Sequence, residues 1–250
     1  MTVKDGASVE QKEIHSFLMI GQSNMAGRGD LSDVEPIQHP LCYMLRMGRW
    51  QPLSHPVNPD RDIFRGPFPS GVSLAPYFAM AYADTYKVGT GLIPCADGGT
   101  RMDQWMPDEV LYDHALMQAR LAMRSSTLSG ILWHQGESDC KDRETVDAYG
   151  EKFLTVMTAL RKDLGLPQLP IIVGELARGH KRENVEEMRR YFNAKLSETV
   201  RKLPDCYLVS SEGLTLKADD LHFDALSCQT FGQRYFDAYA EHLSSALSEH

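Results

Sequence analysis

The chain has 250 residues, of which 42% are hydrophobic and 24% are charged, and its formal net charge is -8 at pH 7. That length and hydrophobic content suffice for one large core, so we expect a single domain over residues 1–250. The negative charge argues against a nucleic-acid partner and against a membrane partner, because both kinds of binding surface need basic patches.

The N-terminal segment and the cysteines bear on the cellular compartment. The first 16 residues, MTVKDGASVEQKEIHS, are polar and lack the apolar centre of a secretion signal. The five cysteines are odd in number, widely spaced and without a CxxC pair, which argues against a disulfide framework and a zinc site. We therefore expect buried thiols in a reducing compartment and a cytoplasmic location.

Short apolar runs alternate along the chain with segments of helical hydrophobic spacing. The runs predict buried strands at 14–20, 88–94, 130–133, 170–173 and 206–209. Apolar helical stripes lie at 74–82, 146–164, 185–200 and 231–247. Strands that are apolar on both faces, between amphipathic helices, are typical of a parallel sheet covered on both sides. We predict an α/β fold, a three-layer α/β/α sandwich with a parallel sheet of about five strands.

Segment 30–71 interrupts this alternation. It contains proline-rich stretches such as QPLSHPVNPDRD and GPFPSG, which predict a long surface excursion beside the functional site. In open parallel sheets, ligands bind at the carboxyl ends of the strands. We therefore expect the functional residues directly after the apolar runs.

Four of the predicted strands are followed by polar or glycine-rich segments, namely GQSNMAG, PCADGGT, HQGESD and SSEGLTLKADDLHFD. Together these segments contain a hydroxyl, exposed backbone amides, a carboxamide and a carboxylate–imidazole pair. Acyl transfer from an ester needs such a set: a nucleophile, a base, a group that orients the base, and donors to an oxyanion. The candidate residues are Ser23, Gly98, Gly99, Gln135, Asp219 and His222.

Each candidate has a simpler structural explanation when it is taken alone. Ser23 fits the N-cap of a following helix, and the two adjacent glycines fit an ordinary tight turn. The acidic residues around His222 fit a solvated loop or a cation site. The coincidence of four such segments at the strand ends of one predicted sheet favours a catalytic site.

The spacing of Asp219 and His222 favours a base with its orienting carboxylate. A carboxylate three residues before the histidine can reach Nδ1, which leaves Nε2 to take a proton from Ser23. Asp220 is the competing carboxylate, although adjacent residues tend to point apart. Ser23 is not in a GxSxG nucleophile elbow and the chain has no GxxxxGK[ST] loop, so an α/β-hydrolase fold and a phosphate loop are not indicated.

The four segments also resemble the sequence blocks of a known superfamily. GQSNMAGRG, IPCADGGT, WHQGESD and DDLHFD occur in this order between Phe17 and Tyr235, and they are similar to the blocks of the SGNH (GDSL-like) hydrolases. More narrowly, they resemble the sialate O-acetylesterase and acetylxylan-esterase-related branch, carbohydrate esterase family six. The resemblance implies a flavodoxin-like α/β/α fold and deacetylation without a metal or other cofactor.

The resemblance implies a role for each residue of the catalytic triad. It places the nucleophile on Ser23, the base on His222 and the partner of the base on Asp219. Asp220 stands where many relatives have glycine, so the choice between the two carboxylates stays open at this point.

The resemblance also implies an oxyanion hole and a supporting carboxylate. The donors would be the amide of Ser23, an amide of Gly98 or Gly99, and the side chain of Gln135. The wider superfamily carries asparagine where this branch and this sequence carry glutamine. Glu137 is expected to be a buried hydrogen-bonding brace beneath the site, with a role as a second base as the alternative.

GGTRMDQW places Arg101 and Trp105 just beyond the predicted oxyanion loop. A guanidinium can pair with a substrate carboxylate, and an indole can stack on the apolar face of a sugar. The structural alternatives are a tryptophan in the core and an arginine paired with a surface acid.

The residues and the resemblance together predict a serine esterase that removes O-acetyl groups from an acetylated carbohydrate of the sialic acid or xylan type. One alternative is an esterase for non-sugar acyl esters, which would need a long apolar groove where segment 30–71 is rich in charge and proline. The other is a non-catalytic carbohydrate-binding protein, against which the complete triad argues. The sequence specifies neither the sugar nor the oligomeric state.

Overall fold

A seven-stranded sheet forms the centre of the computed structural model, which describes residues 13–59 and 69–248. The strands are β1 Ile14–Gly21, β2 Cys42–Arg46, β3 Arg49–Pro52, β4 Gly89–Pro94, β5 Thr127–His134, β6 Ile171–Gly174 and β7 Cys206–Val209. Their order is β3-β2-β4-β1-β5-β6-β7, and the β2–β3 hairpin pair is antiparallel while the other neighbours are parallel. The helices are α1 Ser23–Ala26, α2 Ala75–Tyr86, α3 Val110–Ala122, α4 Arg143–Leu164, α5 Glu183–Val200 and α6 Ala225–Ser248.

The five strands predicted from the sequence are all present. Their order, β4-β1-β5-β6-β7, is the flavodoxin-like arrangement, in which the second of the five lies on one side of the first and the other three lie on its opposite side. Helices cover both faces of the sheet. The prediction of a three-layer α/β/α sandwich is confirmed.

The predicted strand number needs a correction, because segment 30–71 contributes β2 and β3. The two strands are joined at Met47 and Gly48, both with positive φ, and β2 continues the sheet by pairing with β4. The strands are only five and four residues long, too short to stand out beside the flanking prolines. The remainder of the predicted excursion includes residues 60–68, which lie outside the described residues.

Alternation of side chains along the strands explains why both faces of the sheet are apolar. In β1, Leu18 and Ile20 belong to the core beneath α3, α4 and α5, whereas Phe17 and Met19 belong to the core beneath α2 and α6. All four side chains are fully buried, and burial of each contributes roughly 1.5–3 kcal/mol. Strands of this kind require helices on both sides.

Helix α3 was not among the predicted helical stripes. Two of its large apolar side chains, Val110 and Met117, are 45% and 56% exposed. These exposed residues interrupt the separation of apolar and polar faces on which the helical pattern depends. By contrast, the stripe predicted at 146–164 is buried along α4.

Capping residues mark where α4 and α6 begin. The side chain of Asp142 accepts the N–H of Thr145 at 2.8 Å ahead of α4, and Asp224 accepts the N–H of Ser227 at 2.7 Å at the start of α6. Such side-chain acceptors satisfy N–H groups that lack a partner within the helix. Asp224, one of the acidic residues near His222, therefore has a structural role.

All five cysteines lie in the described ranges, and none forms a disulfide. Within residues 13–59 and 69–248, no helix is both long enough and apolar enough to cross a membrane.

Gly21 explains why β1 ends abruptly beside the polar segment that follows it. Its φ is 130°, and a Cβ at this position would lie 2.0 Å from the backbone oxygen of His134. Only glycine allows this approach. The carboxyl ends of β1 and β5 are thereby brought together, and Ser23 is placed next to the segment that follows β5.

Candidate active site

Ser23, His222 and Asp219 form a continuous chain of hydrogen bonds. Nε2 of His222 lies 3.0 Å from the hydroxyl oxygen of Ser23, and Nδ1 lies 2.8 Å from Oδ2 of Asp219. Ser23 is the first residue of α1, while Gln22 occupies the cap position. The alternative in which Ser23 only caps a helix is therefore wrong, since its side chain faces the imidazole.

Asp219 holds both the ring and the backbone of His222. Its Oδ1 accepts the N–H of His222 at 3.0 Å and that of Leu221 at 2.9 Å. Burial raises the pKa of Asp219, but these hydrogen bonds and the one from the ring outweigh burial and lower the pKa to about 2. The carboxylate is thus ionised at neutral pH, in the state that can orient and stabilise an imidazolium.

Asp220, the competing carboxylate, points elsewhere. Its Oδ1 lies 3.0 Å from Nζ of Lys181, and its backbone adopts a φ of 54°. The backbone oxygen of Asp220 accepts a hydrogen bond from Arg189 at 3.1 Å. The structure therefore brings Asp219, and not Asp220, to the imidazole.

Glu137 lies in the interior and contacts the residue after Ser23. Its side chain is 4% exposed, its Oε1 accepts Nδ2 of Asn24 at 2.6 Å, and the same oxygen lies 3.5 Å from Nδ1 of His134. This geometry matches the expected brace. Asn24 was not identified from the sequence, although its position in GQSNM directly after the serine is the signal that could have found it.

The glycine pair after β4 lies beside Ser23. A Cβ placed on Gly98 would be 3.8 Å from Cβ of Ser23 and 2.6 Å from a guanidinium nitrogen of Arg28. Gly99 has a φ of 70°, which continues the turn. The backbone of Gly98 therefore passes close to the serine, and a Cβ here would require the end of the Arg28 side chain to move.

Gln135 does not present its amide to the serine as expected. Its side chain is fully buried, and Nε2 faces Oδ2 of Asp139 at 2.5 Å, the backbone oxygen of Thr100 at 3.0 Å and Oε1 of Gln22 at 3.3 Å. An amide nitrogen has two hydrogens, so this network uses both. The expectation that Gln135 donates to an oxyanion is corrected: its amide joins the segments after β1, β4 and β5.

Asp139 accepts hydrogen bonds from Gln135 and Met102 in this network, and it was not predicted as a site residue from the sequence. It is 4% exposed, and its carboxylate accepts the N–H of Met102 at 3.0 and 3.2 Å besides the amide of Gln135. Burial raises the pKa of Asp139 despite these hydrogen bonds. Its place in WHQGESD, four residues after Gln135, is the sequence signal.

Trp105 is a core residue, which corrects the expectation that it stacks on a sugar. The side chain is 1% exposed, its N–H donates to Oγ1 of Thr100 at 3.1 Å, and its ring packs edge-on against Trp133. A buried indole offers no face to a ligand. Arg101, by contrast, is exposed at the start of the same turn.

A cleft of about 420 Å³ opens beside His222 and Asp219. Lys217 lies on its wall and donates to the backbone oxygen of Arg28 at 2.8 Å and to Asp30 at 2.7 Å. Lys217 thereby connects the segment that carries His222 to the segment that follows α1. The wall combines the charged side chains of Arg28, Asp30 and Lys217 with the apolar side chains of Leu31 and Pro69.

Over residues 13–59 and 69–248, no group of three or more His, Cys, Asp or Glu side chains is placed to hold a metal ion. Ser23, His222 and Asp219 supply a hydroxyl, an imidazole and a carboxylate in hydrogen-bond contact.

A comparison with known families shows which family the chain belongs to. The family profile described as carbohydrate esterase, sialic acid-specific acetylesterase, matches residues 13–241. This chain belongs to that family. It is therefore a carboxylic ester hydrolase of the carbohydrate esterase class.

Individual relatives of this esterase share its length and fold. A probable carbohydrate esterase of Arabidopsis thaliana is 29% identical over 242 residues, which cover 89% of each chain. An Arabidopsis thaliana crystal structure aligns with a TM-score of 0.78 at 28% identity, covering 92% of this esterase and 98% of that chain.

More distant solved structures share the fold of this esterase. NanS aligns with a TM-score of 0.74 at 17% identity, covering 94% of this esterase and 99% of that chain. A carbohydrate acetylesterase from Xanthomonas citri aligns with a TM-score of 0.62 at 16% identity, covering 90% of this esterase and 55% of that chain.

Proposed function

We propose that this carbohydrate esterase is a serine esterase that removes O-acetyl groups from a sugar through Ser23, His222 and Asp219. The observation that carries the proposal is the Asp219–His222–Ser23 hydrogen-bond chain at the carboxyl edge of the sheet. The edge is where ligands bind in folds of this kind, and the cleft beside His222 gives the substrate access.

In the first half-reaction, the hydroxyl of Ser23 attacks the acetyl carbonyl while Nε2 of His222 takes its proton. The ionised carboxylate of Asp219 keeps the hydrogen on Nδ1, which leaves Nε2 as the acceptor, and it stabilises the imidazolium that forms. The tetrahedral intermediate then breaks its bond to the sugar oxygen. His222 gives its proton to that oxygen, so that the sugar leaves as an alcohol.

The negative charge on the intermediate needs hydrogen-bond donors. The N–H of Ser23 is at the first position of α1, where helical N–H groups have no partner within the helix. We assign the second donor to Gly98 in preference to Gly99, because Gly98 lies beside Cβ of Ser23. Gln135 supports this hole from behind through Thr100.

The second half-reaction repeats these steps with water. His222 takes a proton from a water molecule, which attacks the acetyl group on Ser23, and acetate leaves as the serine regains its proton. The cycle consumes one ester and one water and yields one alcohol, one acetate and one proton. It requires no redox step.

The acetylated sugar is proposed to be acidic, of the sialic acid type. Arg101 is exposed at the edge of the oxyanion loop, and a guanidinium can bind a carboxylate through two parallel hydrogen bonds. The family description, sialic acid-specific acetylesterase, points in the same direction. A xylan-type sugar is the neutral alternative that an assay can distinguish.

Acetate release from a panel of acetylated sugars tests the function, with 4-nitrophenyl acetate as a generic ester. The wild-type protein is expected to hydrolyse the generic ester and at least one acetylated sugar. Ser23→Ala should lower kcat by more than about 10³-fold on every substrate, because the nucleophile is lost. Ser129→Ala on β5 is the matched control, since the hydroxyl of Ser129 donates to the nearby oxygen of Thr127 and takes no part in the hydrogen-bond chain at Ser23.

Two outcomes would contradict the proposal. A wild-type protein that releases no acetate from any ester would remove the esterase function. A Ser23→Ala variant that retains more than about a tenth of wild-type turnover would exclude Ser23 as the nucleophile. Circular dichroism of both variants shows whether the fold is retained.

A further inference from the structure

The side-chain amide of Asn24 contacts the backbone on both sides of His222. Its Nδ2 donates to the carbonyl of Leu221 at 3.2 Å, and its Oδ1 accepts the N–H of Phe223 at 3.1 Å. Asn24 is 2% exposed and follows Ser23 directly in α1. The side-chain amide of Asn24 thus forms hydrogen bonds with both residues that flank His222. Asn24 itself lies on the helical turn that carries Ser23.

Glu137 determines which way the amide of Asn24 points. Its Oε1 accepts Nδ2 of Asn24 at 2.6 Å, so the nitrogen faces Glu137 and the oxygen is left for Phe223. The two hydrogens of Nδ2 are then both used, one on Glu137 and one on Leu221. Because Glu137 is 4% exposed, little water competes for this hydrogen bond.

The segment that carries His222 needs such an anchor. It is a loop between β7 and α6, and the side chain of Asp219 is 46% exposed. Asp219 holds the ring within its own segment, and Lys217 ties that segment to Arg28 and Asp30 rather than to the turn that carries Ser23. The contacts from Asn24 to Leu221 and Phe223 connect the residues on both sides of His222 directly to that turn.

We propose that Asn24 and Glu137 are positioning residues that hold His222 at hydrogen-bond distance from Ser23. This inference rests on the proposed function, in which His222 is the base for Ser23. Neither residue exchanges a proton with the substrate in this role. Their effect is on the distance between Oγ and Nε2, and a displacement of 1 Å at a reacting pair can cost about 10²-fold in rate.

Asn24→Asp is the first test, with 4-nitrophenyl acetate as the substrate. The new carboxylate faces Glu137 and removes the donor to Leu221, so we expect kcat to fall about 10²-fold while KM changes by less than about threefold. Asn24→Ala removes the hydrogen bonds to Leu221 and Phe223 without adding a charge, and it is expected to lower kcat to a similar extent. The downfield proton resonance of Nδ1 in His222 should broaden or disappear in both variants.

Asn193→Asp is the matched control for the loss of a buried amide. Asn193 is 4% exposed and grips one residue in the same way, accepting the N–H of Leu176 at 2.8 Å and donating to its carbonyl at 2.9 Å. This variant should be less stable to heat but keep the wild-type kcat in its folded form.

Changes at Glu137 distinguish positioning from proton transfer. Glu137→Gln keeps an acceptor oxygen for Asn24 and should retain kcat within about tenfold of the wild type. In the double variant Asn24→Asp/Glu137→Gln, the new amide can donate to the new carboxylate. We expect the double variant to recover at least about tenfold in kcat over Asn24→Asp alone.

Three results would overturn the inference. They are wild-type kcat in folded Asn24→Ala, a folded double variant no faster than Asn24→Asp, and a loss in Glu137→Gln as large as in Ser23→Ala. If Asn24→Asp does not fold, Asn24→Ala and the double variant decide the question through kcat and the Nδ1 resonance. Failure of the wild-type protein to cleave any ester would count against the proposed function instead.

Discussion

The amide nitrogen of Gln135 lies 2.5 Å from a carboxylate oxygen of Asp139, with both side chains buried. The same carboxylate accepts the N–H of Met102, and the same amide donates to the backbone oxygen of Thr100. The pair therefore holds the loop after β4 against the loop after β5. Because Gly98 lies in the same loop as Thr100, we expect its position beside Ser23 to depend on this connection.

Gln135→Glu is expected to place two carboxylates against each other. At neutral pH the variant should unfold at a lower temperature than the wild type, because like charges in a buried pair repel. The difference in melting temperature from the wild type should be smaller at about pH 4–5, where one carboxyl group of such a pair can bind a proton. Thermal unfolding at both pH values measures this.

Exchange of the two groups provides the control for that variant. In Gln135→Glu/Asp139→Asn, the amide is at position 139 and the carboxylate at position 135, so one donor again meets one acceptor. At neutral pH, the melting temperature of this double variant should lie closer to that of the wild type than the melting temperature of Gln135→Glu does. Equal melting temperatures for Gln135→Glu and the wild type at neutral pH would show that the pair does not govern the loops.

Asp219→Asn and Asp220→Asn should differ strongly, although the residues are adjacent. Asp219→Asn changes the acceptor at Nδ1 of His222, which fixes the tautomer of the ring in the proposed mechanism, and should lower kcat by up to about 10⁴-fold. Asp220→Asn removes only a partly exposed contact with Lys181 and should leave kcat within about threefold of the wild type. Steady-state kinetics on 4-nitrophenyl acetate compares the two, and the reverse ranking would move the triad carboxylate to Asp220.

Trp105→Ala should affect folding rather than substrate choice. Removal of a buried tryptophan that packs against Trp133 is expected to lower the free energy of unfolding by about 3–5 kcal/mol. Trp105→Phe should cost less, because most of the apolar volume stays. A loss confined to acetylated sugars, with unchanged stability in urea, would restore the sugar-stacking role.

Arg101→Ala should distinguish acidic from neutral substrates. If Arg101 pairs with a carboxylate, KM for O-acetylated sialic acid should rise about 10-fold or more, while KM for acetylated xylose stays unchanged. Arg124→Ala is a control of the same chemistry, because Arg124 is exposed in the segment between α3 and β5. Equal effects on both sugars would show that Arg101 does not bind the carboxylate of the substrate.

His55 should make the stability of the fold dependent on pH. Burial lowers the pKa of His55 from 6.5 to about 4, so the folded state binds a proton less readily than the unfolded chain. The stabilisation is therefore complete above about pH 6.5 and is lost as the pH falls toward 4. Between pH 7 and pH 4.5, the melting temperature of the wild-type protein should fall further than that of His55→Gln. Equal decreases in the two proteins would contradict the argument.

The sequence by itself determined the layered fold and the segments in which the candidate site residues lie. Both follow from local patterns: strands that are apolar on both faces must be covered on both sides, and polar residues directly after them lie at one edge of the sheet. The spacing of Asp219 and His222 likewise predicted their contact, because three residues in one turn are enough to bring the carboxylate to the ring.

The tertiary structure decided where the individual side chains point. The left-handed backbone of Asp220 turns its carboxylate to Lys181, and Asp139 draws the amide of Gln135 away from Ser23. Trp105 is buried because Trp133 on β5 packs against it. Such orientations depend on groups brought together by the fold, and a linear pattern of residue types records which groups are present but not which of them meet.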